Sequence, residues 1–322
     1  LPAPNKTTAY LPYWSLGRGI WKGDNLVFID PHVPRVDLYD KDSLYSSIKV
    51  KFPDNAEVWL YDAIVTTSGR LIVSGWYKPD VGEIHDFIGM PDIEGHVSPI
   101  IDTGSFIPRM ITTCDNGATI WAVGGSRNTW NPNTRVHDPR DVLRQYSFSD
   151  GSMKTSLLST ATLSMGPDAA NVNAPDQIMQ CHNETLGIYM GLSDQWIEYD
   201  TNTNQLTRWQ LPKRFHHWVE QDSQGKVLPL PTVLKHVTGF VMLDSGDVYA
   251  SFDDQDNSNG KSALGLFRLQ KTGTQATWIP VAGTQGDYKK QGAFKRLEGT
   301  DGKNLVYSRI DEQYWYFSSA PN

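Results

Sequence analysis

Short apolar runs separated by polar turns pattern this chain from end to end. The most regular stretch is Asn183–Pro212, with runs at Leu186–Met190, Trp196–Tyr199 and Leu206–Leu211, the last two joined by the polar turn Thr201–Asn204. Runs of this length bounded by Asn, Asp and Gly predict a β-meander. The turn that opens the second strand of this unit recurs along the chain: Gly23-Asp-Asn before LVFI, Ser68-Gly-Arg before LIVS, Asn116-Gly-Ala before TIWA, Asn183-Glu-Thr before LGIYM, Ser245-Gly-Asp before VYAS and Gly302-Lys-Asn before LVYS. First strands are expected at Val58–Thr67, Ile107–Thr113, Gln177–Cys181, Val237–Leu243 and Phe294–Leu297. Third strands are expected at Arg35–Tyr39, Leu143–Tyr146, Trp196–Tyr199, Leu264–Leu269 and Tyr314–Phe317, and fourth strands at Leu44–Val50, Leu206–Leu211 and Ala276–Val281. The second unit is the least regular, with outer strands placed around Ile84–Ile101. Arg140–Tyr146 could instead form a turn of helix.

Four strands repeated at such a period predict a β-propeller. The expectation is one all-β domain over residues 1–322 with six blades, or seven if the second unit or the insertion at 213–234 hides another. Two tandem β-sandwiches are the alternative. The last unit runs short after Phe294. Thr7–Tyr13 can supply its outer strand, so that the two ends of the chain close one blade and leave fewer bare sheet edges.

Val237–Ser251 and Ala263–Val281 resemble units of the NHL, sensor-propeller and Asp-box β-propeller superfamilies. Thr113-Cys-Asp-Asn-Gly-Ala-Thr-Ile-Trp121 is similar to an Asp box, with its Trp one place late. The resemblance implies the architecture. Such propellers include sialidases, lactonases, lyases and pure binding modules, so it brings no activity with it.

Composition narrows the classes. Eleven Trp and 14 Tyr can fill a core of flat rings, and 27 Gly with 19 Pro suit many tight turns. A net charge of −7 with scattered basic residues argues against a nucleic-acid partner. No apolar run is long enough for a membrane-spanning helix. The chain begins Leu-Pro-Ala-Pro without Met, which reads as a processed or a trimmed end. A secreted or periplasmic location and a monomer are expected. Cys114 and Cys181 each stand three residues before the equivalent turn position in adjacent units. A disulfide is therefore expected there, at the ends of neighbouring first strands, with two buried thiols as the alternative.

Counting back from each turn brings Arg18, Asp62, Arg109, Asp176, His236 or Thr238, and Lys295 to one level of the strands that would line a central channel. Arg offers a planar fork to carboxylates and Asp accepts from hydroxyls, so a funnel for an anionic or polyhydroxylated ligand is expected. The bland reading is that these groups pair with one another, Arg109 with Asp62 or Asp176. Loops after second strands add Trp76, Tyr77, Arg127, Trp130, His137, Asp194 and Arg309, and the insertion Lys213–Leu234 adds Trp218. Their rings could stack on sugars or simply pin their own loops. No metal site is expected at the adjacent His216-His217, whose side chains would diverge on an extended strand. Asp253-Asp254-Gln255-Asp256-Asn257 resembles a Ca²⁺-binding turn, the one cofactor considered. No GxSxG elbow is present. His236 or His137 could abstract a proton beside Arg109 and a Tyr. The expected function is binding of a carbohydrate, another polar or anionic small ligand, or a partner protein. The alternative is an enzyme using the same funnel: a glycoside hydrolase, a polysaccharide lyase or a lactonase-like hydrolase.

Overall fold

The computed structural model describes residues 25–30, 33–40, 43–66, 68–127, 130–131, 133, 136–137, 140–160, 162–163, 177–190, 193–212, 233–256, 260–284, 294–300, 303–309 and 315–319. The chain divides into two compact units, Asn5–Ala174 with Asn183–Thr185, and Leu1–Pro4 with Pro175–His182 and Leu186–Asn322.

In the Asn5–Ala174 unit the strands follow one another as antiparallel meanders. The first is β1 (Asn25–Asp30), β2 (Arg35–Asp40) and β3 (Ser43–Lys49). The second is β4 (Glu57–Val65), β5 (Leu71–Lys78), β6 (His85–Pro91) and β7 (Val97–Gly104). The third opens with β8 (Phe106–Thr112) and β9 (Thr119–Ser126). A small hairpin of β10 (Trp130–Asn131) and β11 (Val136–His137) intervenes before β12 (Asp141–Ser147) and β13 (Met153–Ser159) complete the sheet.

The other unit repeats the plan. Its meanders are β14 (Gln177–His182), β15 (Thr185–Met190), β16 (Gln195–Asp200) and β17 (Gln205–Gln210), then β18 (Val233–Met242), β19 (Val248–Asp256), β20 (Gly260–Thr272) and β21 (Gln275–Pro280), then β22 (Phe294–Thr300), β23 (Asn304–Arg309) and β24 (Trp315–Ser319). The outer strands β17 and β21 meet in a parallel bridge at Gln210 and Gln275, which merges two meanders into one eight-stranded sheet.

Consecutive order within each meander is the blade plan of a β-propeller; a sandwich would interleave its strands by Greek-key connections. The packing agrees. Along β5, Leu71 and Val73 pack with Val27, Val36 and Ile48 of the first sheet, while Ile72 packs with Ile111, Ile120 and Phe148 of the third. A blade between two others must be apolar on both faces, and this alternation supplies both. Each such buried side chain contributes about 1.5–3 kcal/mol relative to exposure. In the other unit Val241, Tyr249 and Leu266 pack against Leu297 and Leu305 in the same way. The architecture is a β-propeller, as the turn pattern and the resemblance implied.

Each recurrent turn within the described residues opens the strand expected of it. The structure settles one alternative and departs from expectation elsewhere: Trp76, Tyr77 and Arg309, expected in loops after second strands, lie within β5 and β23. The third strand expected at Leu143–Tyr146 is present and the alternative helical turn is not: Asp141–Ser147 is β12, paired with β9 on one side and β13 on the other. Its alternating Val142, Arg144 and Tyr146 suit a strand packed on Phe106 as well as they suit one helical turn. Asp253, Asp254 and Asp256 lie in β19, paired to β18 and β20, so the segment that resembles a Ca²⁺-binding turn is extended strand up to Asp256. Strand β13 buries only Leu158, which hid it in the sequence. Thr7–Tyr13 and most of the 213–234 insertion lie outside the described residues.

Both cysteines are disulfide-bonded, and the chain holds no others, so Cys114 is joined to Cys181 as expected.

Candidate functional site

First strands carry a shared irregularity. Pairing between β4 and β5 shifts between Leu60 and Asp62, and between β8 and β9 it shifts between Ile107 and Met110. In β18 the shift falls between Val237 and Gly239, and β22 shifts between Phe294 and Arg296. The residues caught in these bulges are Tyr61, Pro108 with Arg109, Thr238, and Lys295. Three of them belong to the polar level counted from the turns. A bulge re-aims side chains that strict alternation would send to opposite faces. At Gly124 a Cβ would collide with the carbonyl oxygen of Ile107, so glycine lets β9 lie against the β8 bulge.

The β4 and β8 bulges build a polar cluster within one unit. Tyr61 donates its hydroxyl to Asp86 Oδ1 at 3.2 Å. Arg127, just past β9, clamps Asp86 from Nε to Oδ2 at 2.7 Å and from Nη2 to Oδ1 at 3.1 Å. The same Nη2 donates to the Tyr61 hydroxyl at 3.2 Å. The guanidinium of Arg109 lies over the Tyr61 ring, its Cζ 4.7 Å from the centroid. Asp86 is fully buried, and Arg127 keeps 33% of its side chain exposed. Trp76 is half-buried and stands opposite Asp86 in the β5–β6 register, on the same face.

Burial, then the neighbouring Asp86 charge, pushes the Tyr61 hydroxyl well above its ordinary value, against the opposing pull of Arg109 and Arg127. Tyr61 is therefore a proton donor at neutral pH and unsuited to act as a base. The hydrogen bonds to Asp86 hold the Arg127 guanidinium above its ordinary value despite partial burial.

Asp62 turns to the neighbouring sheet. Its Oδ2 accepts the Ile111 amide at 2.8 Å and its Oδ1 accepts the Ala63 amide at 3.0 Å, at 1% exposure. This is a built structural role, tying β4 to β8. It recurs in the other unit, where the Met242 amide donates to Gln180 Oε1 at 2.8 Å and the Leu297 amide to Ser251 Oγ at 3.0 Å.

Of the other expected residues, Arg18, Asp176 and Trp218 lie outside the described residues. His236 and Lys295 occupy β18 and β22, His236 opposite Asp253, and their side chains are not described. Trp130 and His137 pair across the β10–β11 hairpin. Tyr77 stacks between Phe52, at 4.3 Å between centroids, and His85, at 5.1 Å, so both faces of its ring are covered. Asp194 is buried, and its carbonyl accepts from the Leu211 amide and the Gln210 side chain.

Tyr61 and Asp86 were not singled out in the sequence. Alternation puts Tyr61 on the face opposite Asp62, and only the bulge reverses that. Asp86 had a signal: a carboxylate inside the apolar run Phe87–Met90 and its flanks. The Asp-box-like segment forms the β8–β9 turn. Asp115 accepts the Thr119 amide at 2.8 Å and the hydroxyls of Thr119 at 2.6 Å and Thr113 at 3.0 Å, and Trp121 is buried at 1% exposure.

No protein-family model matches this chain, and no curated protein matches it. Solved structures do. A luciferin-regenerating enzyme is 12% identical, over 96% of this chain and 87% of that one, with a TM-score of 0.48. The hydrazine synthase of Kuenenia stuttgartiensis is 10% identical, over 98% and 99%, with a TM-score of 0.46. The soluble aldose sugar dehydrogenase of Escherichia coli is 12% identical, over 94% and 96%, with a TM-score of 0.43. Likenesses at this level carry no argument about function.

Proposed function

We propose that this protein is a secreted or periplasmic β-propeller of six blades in one domain that binds a carbohydrate or another polar, anionic small ligand. The observation that carries the reading is the cluster of Arg127, Asp86, Tyr61 and Arg109, with Trp76 beside it. A fully buried carboxylate clamped by two hydrogen bonds fixes one guanidinium, and an aromatic ring braces a second. Rigid, oriented donors beside a half-buried Trp suit a ligand with charged, hydroxyl and flat apolar parts. The disulfide supports an oxidising compartment. The six recurrent turns support the blade count. Arg18, Asp176, His236, Lys295, Trp130, His137 and Trp218 extend the same reading, which needs no resident cofactor.

A thermal-shift screen with neutral glycans, uronic acids, lactones and divalent ions tests it. Acidic or polyhydroxylated ligands are expected to raise the melting temperature, and Arg109→Gln to reduce the rise. If no small ligand of any class shifts the transition, the reading fails. Turnover of a ligand that does bind would move the protein to the enzyme class.

A further inference from the structure

We propose that Asn116 is a site of covalent modification, spontaneous deamidation through a cyclic imide with Gly117, and that the fold holds the site shut through the Thr113 hydroxyl and the Ser68–Arg70 turn of the neighbouring sheet. The chain has two Asn-Gly pairs, Asn116-Gly117 and Asn259-Gly260. Glycine has no Cβ to crowd its amide nitrogen, so in such a pair that nitrogen can approach the Asn side chain. The Gly117 nitrogen bonds to Cγ of Asn116, the Cγ–Nδ2 bond breaks, and Nδ2 leaves as ammonia with the Gly117 amide proton. Water then opens the ring at either carbonyl and leaves aspartate or isoaspartate at this position. Water is the only co-reactant.

The pair sits in the β8–β9 turn, with Asn116 at φ +57° and Gly117 at φ +87°. Asn116 is exposed, but the nitrogen that must attack is not. Gly117 is buried, and its amide donates to Thr113 Oγ1 at 2.8 Å, where Thr113 is 4% exposed. A proton held in a buried bond is out of reach of the base that must remove it. The group to be attacked is held as well. Asn116 Oδ1 accepts the Ser68 amide at 3.0 Å, and the Asn116 carbonyl accepts from Arg70 Nη2 at 2.7 Å. Ring closure has to turn the carboxamide away from Ser68 and free the Gly117 amide from Thr113. The reaction therefore runs only through local opening of the turn. Its product acts on the same contacts. Isoaspartate routes the backbone through the side-chain carbon, which lengthens the turn by one atom and adds a negative charge. The geometry that lays Asn116 against Ser68 and Arg70 does not survive that change, so the modification unties the second sheet from the third at this turn.

The test incubates the whole chain at mildly alkaline pH, folded and in guanidinium chloride, and follows isoaspartate at each Asn-Gly pair by peptide mapping. In the unfolded chain both pairs are expected to react. In the folded chain Asn116 should react about tenfold or more slowly than in the unfolded one, because each event waits on an opening. Thr113→Val keeps the shape of the side chain and removes the hydroxyl, and it should speed the folded-state reaction roughly three- to tenfold, the worth of one hydrogen bond. Equal rates at Asn116 in the folded and unfolded chain overturn the guard. No reaction at Asn116 in the unfolded chain overturns the site itself. An unchanged rate in a folded Thr113→Val protein overturns the role of the hydroxyl. Should that variant not fold, hydrogen exchange of the Gly117 amide in the unaltered protein decides: protection is expected, and exchange at the unfolded rate overturns the proposal.

Discussion

Replacing Arg127 with methionine keeps most of the side chain's length and removes its hydrogen bonds. Asp86 then loses two charge-assisted bonds, at 2.7 and 3.1 Å, and retains from this network only the Tyr61 hydroxyl at 3.2 Å. Its side chain is 0% exposed, so water cannot replace the guanidinium without opening the sheet. Breaking a buried ion pair by removing one partner costs about 3–5 kcal/mol, because the other charge stays buried. Arg127 is itself 33% exposed, and solvent screens part of the attraction, which puts the expected loss near the lower bound, about 3 kcal/mol. The assay is urea denaturation followed by tryptophan fluorescence, with the midpoint falling at unchanged slope. The double variant Asp86→Leu, Arg127→Met removes both charges and should recover most of the loss. A cost below about 0.5 kcal/mol for Arg127→Met, the range of an ordinary surface change, would refute the claim that this carboxylate depends on its guanidinium.

Reducing the disulfide, or replacing Cys114 and Cys181 with serine, frees a loop of about 67 residues and should cost about 4 kcal/mol in the chain-entropy model; an unchanged urea midpoint on reduction would contradict it. The folded state holds Tyr61 above its ordinary 10.0, so its contribution is complete below about pH 10 and is lost as pH rises through the folded value; Tyr61→Phe should flatten the alkaline limb of the stability–pH profile. Burial works against Asp115, yet hydrogen bonds from Thr119 and Thr113 hold its carboxyl below the ordinary 3.8, so its contribution is present above that value and lost as pH falls through the folded one; Asp115→Asn should remove that part of the acid limb. The Ser74 hydroxyl is buried at 0% exposure with no hydrogen-bond partner among the described residues, so Ser74→Ala should stabilise by about 1 kcal/mol, and a loss of stability would show that the hydroxyl is bonded.

The fold was legible because turns and strands are local. Asn116-Gly and Ser245-Gly announce tight reversals whatever lies beyond them, and Gly117 at φ +87° and Gly246 at φ +82° adopt the conformation that makes glycine useful there. The runs that follow are apolar because each strand is pressed between neighbours. Strand β13 escaped for the opposite reason: an outer strand facing solvent keeps no apolar period to read. The cysteine pair was legible from its register, since both residues stand at the same distance from equivalent turns. The polar cluster was half legible. Arg109 could be placed by counting, whereas Trp76, expected in a loop, lies in β5, and the Tyr61 ring against Arg109 was not foreseen. Asp62 was the natural candidate, and it spends its oxygens on the amides of Ala63 and Ile111.

The bulges explain that division of labour. In an unbroken β4, Tyr61 and Asp62 would face opposite neighbours, and neither sheet contact would hold both. The register shift between Leu60 and Asp62 lets Tyr61 reach Asp86 while Asp62 reaches the Ile111 amide on the side of the third sheet. One side chain ties the sheets together, and the other carries the polar network between them. The shift in β8 between Ile107 and Met110 contains Arg109, which lies over Tyr61 from the facing sheet. Two irregular strands thus place a guanidinium on a ring and a phenol on a carboxylate beside a core made mostly of Ile and Phe. Thr238 and Lys295 stand in the corresponding shifts of β18 and β22. A device that only relieved twist would have no reason to fall on Tyr61, Arg109, Thr238 and Lys295, so the recurrence ties the irregularity to the placement of polar residues.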